Sequence, residues 1–149
     1  MRLQTKRKGV AAVEFALVAP VLCMAFLGMI EISRALQVQM VLTNAVREGC
    51  RGYADNTATD AAGNPIGTKP CVQPIVNKCL TDANIGIDTS KVTVTPTDPT
   101  SVTVSGIKVN QVTVTASLPY SSVAYFPGFI IKRPLTATVT MNKYVPPSP

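Results

Sequence analysis

A single glutamate, Glu14, stands inside the 21-residue run from Val10 to Ile30, which is otherwise apolar. An acidic side chain in the hydrocarbon layer of a bilayer costs about 2.5 to 3.5 kcal/mol at mid-span and less towards the interface. Glu14 therefore needs a charged partner, or a position near enough to the membrane surface to reach water or take up a proton. If the chain is cut after Gly9, Val10 gains a free α-amino group, which is a cation near neutral pH. That ammonium, at the same helix end or on a neighbouring subunit, would neutralise Glu14 and make it an assembly residue.

Three cysteines beyond this run are the other candidates for chemistry: Cys50, Cys71 and Cys79, whereas Cys23 lies inside it. On an oxidising side of a membrane, two of the three would pair and one would be left over. A disulfide that ties a loop to a helix suits a small exported domain, because the core of such a domain is limited. Cys71 with Cys79, and Cys50 with either of them, are open alternatives beside three buried free thiols.

The composition argues against catalysis and cofactor binding. The chain contains no histidine and no tryptophan, which excludes a Ser-His-Asp triad, a Cys-His pair and imidazole ligands for a metal. Its serines, lysines, aspartates and cysteines form no catalytic constellation that the sequence reveals. We therefore expect no enzymatic activity, no metal, no cofactor and no small-molecule substrate.

The basic residues indicate membrane orientation rather than nucleic-acid binding. The formal net charge is +6, and four positive charges precede every acidic residue: Arg2, Lys6, Arg7 and Lys8. Subtracting these four leaves +2, and no remaining basic cluster is interleaved with aromatic residues, so we expect no contact with nucleic acid. Lysine and arginine beside a hydrophobic run keep that end in the cytoplasm, which places everything after Ile30 on the exported side.

The apolar run is long enough to span a membrane. At about 1.5 Å per residue, its 21 residues match a hydrocarbon layer about 30 Å thick. A cleaved secretory signal would be shorter and would be followed by soluble sequence, whereas here a helical pattern continues. Pro20, in mid-span, predicts a bend or a melted turn, although membrane helices also tolerate proline that has no functional role.

The helical pattern continues from Glu31 to about Tyr53. Apolar residues recur there at spacings of three and four and predict one buried stripe: Ala35, Val38, Leu42, Ala45, Val46, Gly49 and Tyr53. The opposite face carries Gln37, Asn44, Arg47, Glu48 and Arg51. Glu31 and Arg34 have the spacing of an ion pair. We expect one helix of roughly 40 residues, about 60 Å long, running from the membrane into the exported domain.

The rest of the chain predicts a loop, a short helix and a sheet. Residues 54–70 are rich in Asn, Asp, Thr, Gly and Pro, as loops are, and Cys71 to Ala83 has helical spacing with Pro74 in its first turn. After Ile87, apolar residues alternate with threonine and serine, which is typical of half-buried strands: Val92 and Val94; Val102 and Val104; Val112, Val114, Ala116 and Leu118; Leu135, Ala137, Val139 and Met141. The alternation slips by one near Asn110, which predicts a bulge or a strand break.

Together these patterns predict an α+β fold in which an antiparallel sheet lies over the stripe of the long helix. They divide the chain into a basic leader (1–9), a transmembrane helix (10–30), its amphipathic extension (31–54) and an exported domain (55–149). An aromatic cluster in an irregular stretch predicts either a lid over the sheet or an exposed patch for a partner subunit or the membrane interface: Tyr120, Tyr125, Phe126 and Phe129.

The N-terminal segment resembles a known processing site. Gly9, with Glu14 five residues later and a short basic leader before it, is similar to the prepilin peptidase site of type IV pilins, and Glu14-Phe15 resembles the form found in Tad pilus proteins. Four later stretches resemble the TadE-like family, whose helix reads as an apolar run, then G-x-x-E-x-x-R, then a stretch close to N-A-A-R-E-G-A-R: Pro20, Gly28 to Glu31, Arg34 to Leu36 and Asn44 to Arg51. The resemblance covers Gly9 to about Arg51. In two departures, Val46 stands where alanine is usual and Cys50 replaces a small residue.

The resemblance implies a pilin-like fold and cleavage after Gly9 by a prepilin peptidase, which is an inner-membrane aspartic peptidase. It implies that Lys6, Arg7 and Lys8 hold the leader in the cytoplasm, and that Val10 becomes an N-terminus open to N-methylation. Glu14, beside Phe15, would then recruit or align the next subunit. The implied partners are the peptidase, other pilin-like subunits and the inner-membrane assembly platform of the Tad system.

The function that this resemblance implies is that of a pseudopilin or minor pilin of a Tad (Flp) pilus, which assists pilus biogenesis, adhesion or secretion. Such a protein would cross the inner membrane once, with its C-terminal domain outside the cytoplasm, or enter the pilus itself. The alternative is a permanently anchored envelope protein whose exported β-rich domain binds a partner. The two hypotheses differ in whether the leader is removed.

Overall fold

Four stretches of the chain are described by the computed structural model: residues 5–55, 69–104, 107–125 and 131–143. Their regular elements include two α-helices and four strands, which confirms the predicted α+β class. Most of the loop predicted over 54–70 lies outside the described residues, as do Phe126, Phe129 and the side chains of Lys6, Arg7 and Lys8.

A single helix, α1 (Thr5–Ala54), begins before Gly9 and extends into the C-terminal domain. Its 50 residues cover about 75 Å at about 1.5 Å per residue, so the predicted long helix is confirmed and begins earlier than expected. The helical assignment passes through Pro20 without interruption, and the predicted melted turn is therefore wrong. An unbroken helix is favourable here because a bilayer offers no water to replace lost backbone hydrogen bonds.

The two halves of α1 have opposite surroundings. Its most apolar stretch has a mean hydropathy of 2.3 and is 0% buried within the chain, and Phe15 is 71% exposed. Among the described residues, α1 is the one helix long and apolar enough to cross a membrane, which indicates a single-pass membrane protein. The predicted stripe of the other half is buried under the rest of the fold: Ala35, Val38, Leu42, Ala45, Val46, Gly49 and Tyr53.

The sheet is antiparallel, as predicted, and is built around one long strand. Its strands are β1 (Thr93–Pro96), β2 (Thr100–Val104), β3 (Ile107–Leu118) and β4 (Leu135–Lys143). One edge of β3 pairs with the whole length of β4, from Asn110 with Lys143 to Leu118 with Leu135. The other edge pairs with β2 near the start of β3 and with β1 near its end.

The bulge or break predicted near Asn110 is wrong. Asn110 pairs with Ser101 on one side and with Lys143 on the other, and both registers continue without a skipped residue. The alternation of apolar residues slips because these residues move from one face of the sheet to the other. Val112 is buried on the side of α1. Val109 is an odd number of residues away and must therefore lie on the opposite face. The buried face needs apolar residues only where the rest of the core covers the sheet.

The core lies between the sheet, α1 and the second helix, α2 (Val72–Asp82). α2 confirms the predicted short helix and buries Val72, Val76 and Leu80. Gly49 permits the close approach of the two helices, since a Cβ atom at this position would lie 2.7 Å from Val76 Cγ2. The inner face of the sheet contributes Val112, Val114, Ala116 and Leu118.

Candidate functional site

The predicted processing and assembly residues lie on the bare end of α1. Gly9, Val10, Glu14 and Phe15 are all exposed, and no other part of the described chain comes within 4 Å of a Cβ atom placed on Gly9. Glu14 has no hydrogen-bond or ion-pair partner among the side chains that the structure describes. The described side chains therefore supply no cation to Glu14.

A second glutamate is buried where α1 leaves its apolar stretch. Glu31 is 1% exposed. Tyr120, in a short 3₁₀ turn that follows β3, donates its hydroxyl to Glu31 Oε1 at 2.8 Å and to the Glu31 carbonyl oxygen at 3.0 Å. Burial, together with the hydrogen bond to the Glu31 carboxylate and its charge, raises the pKa of Tyr120 to about 12. The phenol therefore stays protonated near neutral pH and acts as the donor.

Arg34, one turn further along α1, binds two loops of the C-terminal domain. Its Nε donates to the Val123 carbonyl oxygen at 3.3 Å, and its Nη2 donates to the Ile85 carbonyl oxygen. Its Nη1 donates to Gln37 Oε1 at 3.2 Å. Arg34 thus links the segment after α2 and the segment after β3 to the base of the helix.

The predicted ion pair between Glu31 and Arg34 is wrong. Among the described residues, no salt bridge joins them. Tyr120 binds Glu31, while backbone carbonyl groups bind Arg34. A carbonyl acceptor leaves no pattern in the sequence, which is why spacing alone suggested the wrong partner. We refer to Glu31, Arg34, Tyr120 and the carbonyl groups of Ile85 and Val123 as the juxtamembrane clasp.

The two described residues of the aromatic cluster, Tyr120 and Tyr125, fall into the two roles considered from the sequence. Tyr120 is buried in the clasp, as a lid residue would be. Tyr125 is 62% exposed, and its ring centroid lies 5.6 Å from Arg34 Cζ, within the range of a cation–π contact. Tyr120 and Glu31 are 89 positions apart, so no local pattern in the sequence connected them.

The distal part of the motif, Arg47 and Glu48, does not join the clasp. Both residues are exposed. Glu48 contributes to a cleft of about 320 Å³ between the two helices, lined by Glu48, Gly52, Ile75, Lys78, Cys79 and Asp82. Burial, with the charges of Glu48 and Asp82, raises the pKa of the Cys79 thiol, so this thiol is a weaker nucleophile than a free cysteine.

The structure contains no disulfide among the four cysteines. Cys71 and Cys79 lie eight residues apart along the axis of α2, about 12 Å, whereas bridged Cα atoms are about 4.4 to 6.8 Å apart. The pairing of Cys71 with Cys79 is therefore wrong for this fold. Cys50 faces the sheet, with its Sγ 3.5 Å from the Val139 carbonyl oxygen, and burial raises the pKa of its thiol.

Residues 9–51 of the chain match the model of the family described as TadE-like protein. The match begins at Gly9 and includes Glu14, both clasp residues of α1 and the pair Arg47 and Glu48. It ends before α2 and the sheet. No curated protein and no solved structure matches the chain.

Proposed function

Because residues 9–51 form a TadE-like segment, which supports a Tad pilus-associated, pilin-like protein, we propose that the chain is a minor pilin or pseudopilin of a Tad pilus assembly and secretion system. In this role it is cleaved after Gly9 and acts through its helix in assembling or priming the pilus. Its partners are then a prepilin peptidase, other pilin-like subunits and the Tad assembly platform.

The observation that carries this proposal is the position of the matched segment on α1. The match lies within one continuous helix, whose most apolar stretch is 0% buried within the described chain. That apolar surface would contact lipid in an isolated precursor and would pack against the helices of other subunits in an assembly. Glu14 is exposed on the same surface and has no partner among the described side chains. Its charge could therefore pair with a cation of a neighbouring subunit.

Cleavage would prepare this charge pair. Hydrolysis of the peptide bond after Gly9 adds one water molecule and leaves a carboxylate on Gly9 and an ammonium on Val10. Val10 lies four positions before Glu14, about 6 Å along the helix axis. Close pairing at this end of the helix would offset part of the cost of Glu14 in the bilayer.

The first experiment measures the N-terminus and the mass of the full chain recovered from membranes of a host with a prepilin peptidase, and of a matched host without one. The proposal expects a chain that begins at Val10 in the first host and an intact leader in the second. A leader retained in both hosts would contradict it and favour a permanently anchored envelope protein.

The second experiment tests assembly with Glu14→Gln, which removes the charge and keeps the size of the side chain. Membrane insertion and cleavage should persist while pilus number falls. Asp82→Asn is the matched control, because it removes an exposed carboxylate at the end of α2 and should leave pili unchanged. Normal pili in Glu14→Gln cells would count against the charge-pairing scheme.

We also propose that the role is structural and not catalytic. The absence of histidine from the whole sequence and the backbone-directed contacts of the clasp support a protein that works by anchoring and packing. A hydrolytic activity that copurifies with the intact chain and disappears with a single substitution in it would contradict this view.

A further inference from the structure

A cavity lies beside the juxtamembrane clasp, at the level where α1 leaves its apolar stretch. Its volume is about 500 Å³, and it is lined by Met29, Ile30, Ser33, Arg34, Gln37 and Tyr125. Ile30 ends the apolar run, and Arg34 lies one turn further, about 6 Å along the helix axis. Since the headgroup region adds roughly 5 to 8 Å to each side of the hydrocarbon layer, a membrane-spanning α1 places this cavity among lipid headgroups.

Arg34 brings to the cavity a positive charge that no ion pair with a described residue compensates. Its acceptors, two backbone carbonyl groups and the Gln37 amide oxygen, are all neutral, and no acidic residue lines the cavity. Of its five N–H groups, one on Nη1 and one on Nη2 have no acceptor among the described residues. Glu31, the nearest carboxylate along the helix, is buried and bound by Tyr120.

Further donors and an apolar wall complete the cavity. The Ser33 hydroxyl and the Gln37 amide NH₂ are exposed there and donate no hydrogen bond within the described chain. Met29 and Ile30 continue the bare surface of the apolar stretch into the cavity wall. Tyr125 covers Arg34 in the manner of the aromatic residues that collect at membrane interfaces. Donors therefore lie on the headgroup side and apolar side chains on the acyl side.

We propose that this cavity binds the headgroup of an anionic phospholipid. The phosphate accepts hydrogen bonds from the two available N–H groups of Arg34 and from the Ser33 hydroxyl, and an acyl chain runs along Met29 and Ile30. A guanidinium with two adjacent donors is the group best suited to such an oxyanion. The assignment depends on α1 crossing a membrane and not on pilus assembly, so its test can fail while the proposed function stands.

The test places the full chain in bilayer nanodiscs that contain phosphatidylcholine with a minority of phosphatidylglycerol, then transfers it to detergent and counts retained lipids by native mass spectrometry. Gln37→Glu keeps an oxygen acceptor for Arg34 and adds a negative charge to the cavity. Ser33→Glu adds the same charge at an exposed residue whose side chain makes no hydrogen bond in the described chain. Gln111→Glu, on the sheet, is the matched control for added charge.

The expected result is preferential retention of phosphatidylglycerol by the natural chain and by Gln111→Glu, and about tenfold less of it in both cavity variants. Protection of the buried Cys50 thiol from alkylation verifies that each variant is folded. If Gln37→Glu loses that protection, the lipid-retention test is made with Ser33→Glu alone. Equal retention of the two lipids, or undiminished retention in a folded cavity variant, would overturn the proposal. Displacement of the lipid by low concentrations of inorganic phosphate would assign the cavity to a free anion instead.

Discussion

Removing one hydroxyl group, in Tyr120→Phe, should weaken the attachment of the C-terminal domain to α1. The hydroxyl donates to two oxygens of Glu31, and Glu31 Oε2 is buried without a partner among the described residues. The substitution would therefore leave the whole buried carboxylate without a donor from the described chain. Phenylalanine keeps the ring, so the substitution creates no large cavity. The loss of stability therefore comes from the lost hydrogen bonds.

The size of this effect follows from the character of the bond. A hydrogen bond to a charged group contributes about 1.5 to 3 kcal/mol, and removing one partner of a buried charge costs about 3 to 5 kcal/mol. We expect a loss of about 3 kcal/mol in the free energy of opening, which is a large part of the 5 to 15 kcal/mol that stabilise typical domains. At about 1.4 kcal/mol per factor of ten, opening becomes roughly a hundredfold more frequent.

Cys50 reports this opening because its thiol is 0% exposed and reacts with an alkylating reagent only after α1 separates from the sheet. The rate is measured on the full chain in nanodiscs, with peptide mass spectrometry to distinguish Cys50 from the other cysteines. Tyr125→Phe is the matched control: it removes the hydroxyl of an exposed tyrosine and should change stability by less than about 0.5 kcal/mol. Equal alkylation rates in the two variants would refute the assigned role of the bond between Tyr120 and Glu31.

Three further predictions concern the same fold. Gly49→Ala should destabilise the C-terminal domain by about 1 to 3 kcal/mol, because the new Cβ would lie 2.7 Å from Val76 Cγ2; adding Val76→Ala should restore part of the loss in chemical unfolding, and no recovery would contradict the steric explanation. Tyr120 has a pKa raised to about 12 in the folded chain against an ordinary value of about 10, so its contribution to stability should be complete below about pH 10 and lost as the pH rises through about 12. The chain has four tyrosines, so the assay is the difference in tyrosinate absorbance between the natural chain and Tyr120→Phe. That difference should appear near pH 12, and a difference that appears near pH 10 would refute this. Glu48→Gln should lower the pKa of Cys79, which the Glu48 charge helps to raise, and so speed its alkylation at mildly alkaline pH; an unchanged rate would contradict a role for the Glu48 charge.

The sequence by itself determined the elements, because their signals are local. An apolar run and a stripe with helical spacing predicted one long helix, and α1 confirms it. Alternating apolar and hydroxyl residues predicted the antiparallel strands, and α2 lies where its spacing placed it. The TadE-like motif is likewise a local pattern within α1. Each signal depends on neighbours a few residues apart. Backbone geometry fixes the repeat of side-chain direction at about 3.6 residues in a helix and about 2 in a strand.

Only the tertiary structure decided which groups meet. Glu31 and Arg34 have ion-pair spacing, yet Tyr120, 89 residues away, binds the first, and backbone carbonyl groups bind the second. The slip at Asn110 looked like a break and is instead a change of apolar face within an unbroken strand. These outcomes depend on which surfaces cover one another and on carbonyl acceptors that every residue carries, and neither leaves a mark on the identity of the side chains nearby.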